Sequence, residues 1–90
     1  MNRIFIDVRE PQEYAGSHVE GAINIPPAAI MSGSSELDTL SKNDELILYC
    51  VSGSRSNVSI QILKSKGYTN LVNGINKDQV AAKYGLAIVP

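Results

Sequence analysis

The 90-residue chain carries one thiol, Cys50, and five residues later a guanidinium, Arg55, with Val51, Ser52, Gly53 and Ser54 between them. The run that ends on the thiol, Glu45 to Cys50 (ELILYC), is the most apolar in the chain and reads as a buried central strand. After the loop a helix is predicted from about Ser56 to Lys66, with Val58, Ile62 and Leu63 taken as its apolar face and Gly67 as its stop. A cysteine at the mouth of a strand–loop–helix junction sits where ligands gather in parallel α/β sheets. The unpaired N–H groups of the first helical turn, and the positive end of the helix dipole, both favour an anion there. A thiolate is such an anion, and helix N-termini and nearby cations lower a cysteine pKa from about 8.5 into the range of roughly 3.5–7.5. Cys50 is therefore the candidate nucleophile. The loop Val51-Ser52-Gly53-Ser54-Arg55 is its candidate binding cradle, because Gly53 lets successive amides turn inward and Arg55 adds a permanent charge. The plain alternative is that a lone cysteine ending an apolar strand is buried and inert.

The rest of the composition limits the chemistry. One cysteine forms no disulfide within the chain and supplies no resolving thiol. One histidine, His18, builds no multi-histidine metal site, so neither a metal nor another cofactor is expected. Eight lysines and arginines against nine aspartates and glutamates give a net charge of −1, which supplies no basic field for nucleic acid. No window reaches the roughly 18 apolar residues a membrane span needs. MNRIFIDVRE reads directly as a strand without the apolar core of a signal peptide, so the cytoplasm is the expected compartment, or the periplasm if a signal peptide has been removed.

The elements that must position the thiol alternate along the chain. Ile4 to Val8 and Ala22 to Ile25 are short β-branched runs, the first leading through Glu10 and Pro11 into a helix over PQEYAGS. Pro27 to Lys42 is weakly patterned, with a serine-capped helix expected in SSELDTL. Asn70 to Asn73 reads as a strand and Asp78 to Tyr84 as a last helix ended by Gly85. The pattern predicts one α/β domain over residues 1–90, with a small, mostly parallel sheet covered by helices on both faces. Nothing in it requires a second copy for folding, and a monomer is expected.

Cys50-x-x-Gly53-x-Arg55 resembles the active-site loop of the single-domain rhodaneses, the sulfurtransferases. Ile6-Asp7-Val8-Arg9, Glu13-Tyr14, His18-Val19 and Gly21-Ala22-Ile23-Asn24-Ile25-Pro26 are similar to that family's N-terminal signature. Gly67-Tyr68, Asn70-Leu71-Val72 and Gly74-Ile75 form a weaker third block, and the small phage-shock type is the nearest likeness. The resemblance implies a rhodanese-like fold in which Cys50 takes a sulfane sulfur from thiosulfate or a similar donor, holds it as a persulfide, and yields it to cyanide in assay or to a cellular thiol. Asp7, Arg9, Glu13 and His18 carry over as structural support, with Arg9 expected to pair with Glu13. The partners implied are a small sulfur donor and a thiol acceptor, with a sulfur-relay protein as a further candidate. Two departures stand out. Asn73-Gly74 replaces a common pair of glycines, and the tryptophan often found soon after is missing, as the chain has none. A relay module without thiosulfate activity is one competing reading. A cysteine phosphatase or arsenate reductase is a weaker one, since such enzymes place five residues between cysteine and arginine where this chain has four.

Overall fold

The computed structural model describes residues 2–90. In chain order the elements are β1 (Arg3–Asp7), α1 (Pro11–Gly16), β2 (His18–Val19), β3 (Ile23–Asn24), α2 (Pro27–Ser32), α3 (Ser35–Asp38), β4 (Glu45–Cys50), α4 (Ser54–Ser65), β5 (Leu71–Asn76), α5 (Lys77–Tyr84) and β6 (Ile88–Val89). A four-stranded sheet in the order β3-β1-β4-β5, parallel throughout, forms the centre. The expected α/β architecture, a mostly parallel sheet with helices on both faces, is what forms.

β4 lies inside the sheet between β1 and β5, which explains its unbroken apolar run: Leu46 through Cys50 are all buried. Strand parity then decides which way each residue faces. Leu46, Leu48 and Cys50 face one core, shared with Ile30 of α2, Leu37 of α3, and Ile60 and Leu63 of α4. Ile47 and Tyr49 face the other, shared with Val80 of α5, Val19 and Ala22. Cys50 is thereby aimed at the side of the sheet covered by α4, the helix that its own loop begins.

Several local expectations change. α4 starts at Ser54, two residues before the predicted start, and its buried face is Ser56, Ser59, Ile60 and Leu63 rather than Val58, Ile62 and Leu63. Val58 is 56% exposed. Two inward serines disguise the face to any count of apolar side chains, and both are satisfied there: Ser59 Oγ donates to the Arg55 carbonyl, and Ser56 Oγ bonds within the loop. α2 was not apparent in the weakly patterned Pro27 to Lys42 stretch; Pro27 at its first position starts it and Gly33 ends it. α3 does begin on a serine cap, Ser34 Oγ accepting from the Leu37 amide. The two-residue strands β2 and β6 pair antiparallel, a contact too short to leave a periodic signal.

β5 carries a bulge. Leu48 pairs with Asn73 and Tyr49 with Ile75, so Gly74 is the extra residue. A Cβ on Gly74 would lie 2.5 Å from Val80 Cγ2 and 3.1 Å from Ile47 Cγ2, so only glycine lets α5 close onto β4. Ile75, directly after it, holds φ 77, a left-handed conformation rare for a β-branched residue.

Candidate active site

The loop after β4 curls back over the Cys50 sulfur. Gly53 takes φ 92 and ψ −9 as the N-cap of α4, a conformation that glycine adopts without penalty. It brings the Gly53 amide to 3.1 Å from Cys50 Sγ, donating to it. Ser56 Oγ lies 3.6 Å from the same sulfur. Burial pushes the thiol pKa up, but the Ser56 amide, the Ser56 hydroxyl and the amides of Gly53 and Ser52 together more than offset it, leaving the value lowered to about 7. The sulfur therefore faces the amides that follow it, as the spacing predicted. It is also less open than an exposed nucleophile, because Cys50 is only 2% exposed and a reactant must enter from the loop side. Val51, Ser52 and Ser54 form the exposed rim of the loop, with Ser52 Oγ and Ser54 Oγ 3.1 Å apart.

A thiol with this midpoint changes reactivity within the neutral range. The thiolate is the reacting form, so alkylation of Cys50 by iodoacetamide is expected to rise about tenfold from pH 6 to pH 8, following a midpoint near 7. A stopped series of rates against pH measures it, and a midpoint above about 8, the range of an ordinary thiol, would contradict the cradle's role.

Arg55 turns from α4 to Glu13 of α1. Its Nη1 lies 2.8 Å from Glu13 Oε1 and its Nη2 3.1 Å from Oε2, a two-pronged ion pair about one-third exposed on both sides. Hydrogen bonds from Arg55 hold the Glu13 carboxyl at about 2, so this pair stays ionised across the window in which Cys50 titrates. Glu13 Oε1 also accepts from the Glu10 amide, closing the first turn of α1. The expected Arg9–Glu13 pair does not form. Arg9 instead folds back on Asp7, with Nε 2.9 Å from Oδ1 and Nη2 2.7 Å from Oδ2. The reason is burial: Asp7 ends a strand inside the sheet, is 0% exposed, and needs a cation and the Arg9 amide to satisfy its carboxylate. The same arginine donates to the Ser17 carbonyl, so it locks the exit of β1 to the end of α1. Glu13 is left free for Arg55, and α1 is tied to the loop.

His18 stacks on Tyr14 with ring centroids 3.8 Å apart, and its Nδ1 lies 2.9 Å from the Tyr14 carbonyl. It lies in β2 and ties that strand to α1. Among the described residues no three His, Cys, Asp or Glu side chains gather in a way that could hold a metal ion. No helix among them is long and apolar enough to cross a membrane.

Two residues outside the predicted constellation meet the loop. Ser56, which the sequence marks only as the expected start of the helix, touches the sulfur. Asn73, seen only as a departure from glycine, donates from Nδ2 to the Gly53 carbonyl at 3.0 Å and accepts at Oδ1 from Ser56 Oγ at 2.6 Å. No sequence signal marks Asn73, since its partners are 17 and 20 residues away. The hollows divide likewise. One of about 490 Å3 runs between β5 and α5, while one of about 220 Å3, lined by Pro27, Ser54, Arg55 and Val58, opens beside the loop. The cation Arg55 lines the smaller hollow, which opens beside the loop that begins at Cys50.

Comparison with known proteins fits this geometry. A family model described as the Rhodanese-like domain matches residues 1–78. The thiosulfate sulfurtransferase PspE of Escherichia coli (strain K12) is 39% identical over 69 residues, covering 77% of this chain and 65% of that protein. The putative sulfur carrier protein YrkF of Bacillus subtilis (strain 168) is 34% identical over 68 residues, covering 76% of this chain. The chain spans 35% of YrkF's length, so these relatives extend beyond the matched region. A solved structure described as a rhodanese with anions from E. coli superposes with a TM-score of 0.81 at 33% identity, covering 97% of this chain and 96% of that one.

Proposed function

This chain belongs to the rhodanese-like domain family, and on that premise we propose that it is a sulfurtransferase, its 90 residues working as one unit, that carries sulfane sulfur on Cys50. The observation that carries the reading is the Gly53 amide aimed at Cys50 Sγ from 3.1 Å, inside a loop with four residues between Cys50 and Arg55. In the first step the Cys50 thiolate attacks the outer sulfur of thiosulfate. A new S–S bond forms at Cys50, the S–S bond of the donor breaks, and sulfite leaves with the electron pair. In the second step a nucleophile, cyanide in assay or a small thiol in the cell, takes the outer sulfur and returns Cys50 to the thiolate. The two half-reactions predict ping-pong kinetics. The loop amides stabilise the thiolate and then the persulfide anion, a preorganised charge site that needs no rearrangement between steps. Val51, Ser52, Gly53 and Ser54 supply this cradle, and Arg55 attracts the anionic end of the donor. Asp7, Arg9, Glu13 and His18 hold the surrounding elements.

The test is intact-protein mass spectrometry after incubation with thiosulfate, with the added mass mapped to a peptide. A gain of one sulfur atom on Cys50, removed by cyanide, is expected. No gain from thiosulfate would sink direct transfer from that donor. The name of YrkF, a putative sulfur carrier, favours a relay as the second reading. Its signature in the same experiment is loading of Cys50 by a persulfidated donor protein but not by thiosulfate.

A further inference from the structure

We propose that Asn73 is a positioning residue for the Cys50 nucleophile: from β5 its carboxamide grips both the Gly53 carbonyl and the Ser56 hydroxyl, and so sets the loop that faces the sulfur. The inference takes Cys50 as the reacting group, as in the reading above, and adds a residue which that reading does not use.

The argument begins with the freedom of Gly53. A glycine at φ 92 is unstrained, but nothing in its own covalent structure holds it there. Its amide donates to Cys50 Sγ, so any drift of this residue moves a hydrogen bond off the nucleophile. Hydrogen bonds must therefore hold the other side of the residue. The Gly53 carbonyl accepts from the Asn57 amide at 2.9 Å, as the first turn of α4 requires, and from Asn73 Nδ2 at 3.0 Å. The second bond is the only one of the two that ties the loop to the sheet.

The oxygen of the same side chain acts on the second group near the sulfur. Ser56 Oγ is 2.6 Å from Asn73 Oδ1, 3.1 Å from the Gly53 carbonyl and 3.6 Å from Cys50 Sγ. The hydroxyl carries one proton and donates it along one contact at a time; the shortest, to Asn73 Oδ1, fixes the oxygen at the edge of the sulfur's shell. Asn73 itself is held in turn, because Oδ1 also accepts from the Ile75 amide at 3.0 Å across the β5 bulge. The left-handed Ile75 presents that amide, and its side chain packs 3.4 Å from where a Gly53 Cβ would stand. The bulge, the carboxamide and the loop form one connected unit. A glycine at position 73 would provide the bulge without the grip.

The charged groups near the sulfur are Arg55 of α4 and, through it, Glu10 and Glu13 at the start of α1. Removing the carboxamide alters none of them, so a change in Cys50 ionisation after such a substitution reports the loop itself. In Asn73→Ala the pH midpoint for alkylation by iodoacetamide is expected to rise by ~0.5–1, and kcat/KM for thiosulfate to fall ~5–20-fold, as fewer aligned donors face the thiolate. Asn73→Thr suits a strand but does not reach the Gly53 carbonyl, and it carries the same expectation should the alanine variant fail to fold. A midpoint unchanged from wild type, with or without a lower melting temperature, would overturn the proposal by assigning Asn73 to the fold alone. Wild-type protein that takes up no sulfur from any donor would instead defeat the sulfurtransferase reading and leave the midpoint comparison standing.

Discussion

Cys50→Ser is expected to lose all measurable sulfur transfer while keeping its fold. Serine nearly matches cysteine in shape, and its hydroxyl can accept the Gly53 amide that now meets the sulfur at 3.1 Å. The loop therefore keeps its internal bonds, and the change in stability should stay within about 1–2 kcal/mol. The reaction, however, needs an atom that ionises near neutrality and forms a bond to sulfur that a second nucleophile can break. An alcohol meets neither condition, and no other cysteine is present to substitute. Turnover with thiosulfate and cyanide should fall by at least roughly a thousandfold, equivalent to more than ~4 kcal/mol of transition-state stabilisation. The mass gain on the active-site peptide should vanish with it. Retained turnover in a protein shown to carry serine at position 50 would remove Cys50 from the mechanism.

The loop also separates sulfur from phosphoryl chemistry. Four residues lie between Cys50 and Arg55, and the amides of Ser52, Gly53 and Ser56 already converge on one sulfur atom. A cradle filled at that radius holds an added sulfur more readily than a tetrahedral phosphoryl group.

What could be read from the sequence follows from the range of the forces involved. β4 and its loop were legible because their information is local: an apolar run, a cysteine, a glycine and an arginine within eleven residues of chain, Glu45 to Arg55. The Gly53 conformation, the direction of Cys50 and the alternation of the longer strands and helices follow from such short patterns, whereas α2, β2 and β6 leave none. Pairings across the fold were not legible. Arg9 has three acidic residues close in sequence, Asp7, Glu10 and Glu13, and only the complete burial of Asp7 decides among them. Once Arg9 is taken, Glu13 meets Arg55 across 42 residues of chain, a contact that no spacing encodes. The inward face of α4 was misread for a related reason. Ser56 and Ser59 are buried because hydrogen-bond partners await them in the loop and helix, and hydropathy does not register a partner. Asn73 is the extreme case, since its meaning exists only where β5 passes the loop.

Arg55→Ala should uncouple donor recognition from nucleophilicity. In the folded protein Glu13 holds the guanidinium in place beside the loop, leaving its remaining donors and charge for an anionic donor. Losing a charge-assisted contact of this kind is expected to lower kcat/KM for thiosulfate by about 10- to 100-fold. The thiolate should survive, because its main support comes from the Ser56, Gly53 and Ser52 amides rather than from Arg55. Alkylation by the neutral reagent iodoacetamide, measured at about pH 9 where Cys50 is fully ionised, should therefore change by less than about threefold. The variant also strands the Glu13 carboxylate where it now pairs with Arg55, and that charge alone could repel thiosulfate. Glu13→Gln combined with Arg55→Ala removes it, and the Gln side chain can still accept from the Glu10 amide. If recognition depends on the arginine, the double variant stays as poor as Arg55→Ala. Recovery to the wild-type rate would trace the defect to the stranded carboxylate instead. Arg55→Lys keeps the charge but loses the two-pronged geometry, and only partial recovery is expected. Full recovery by lysine would reduce the role of Arg55 to charge alone, and an unchanged thiosulfate rate in Arg55→Ala would end it.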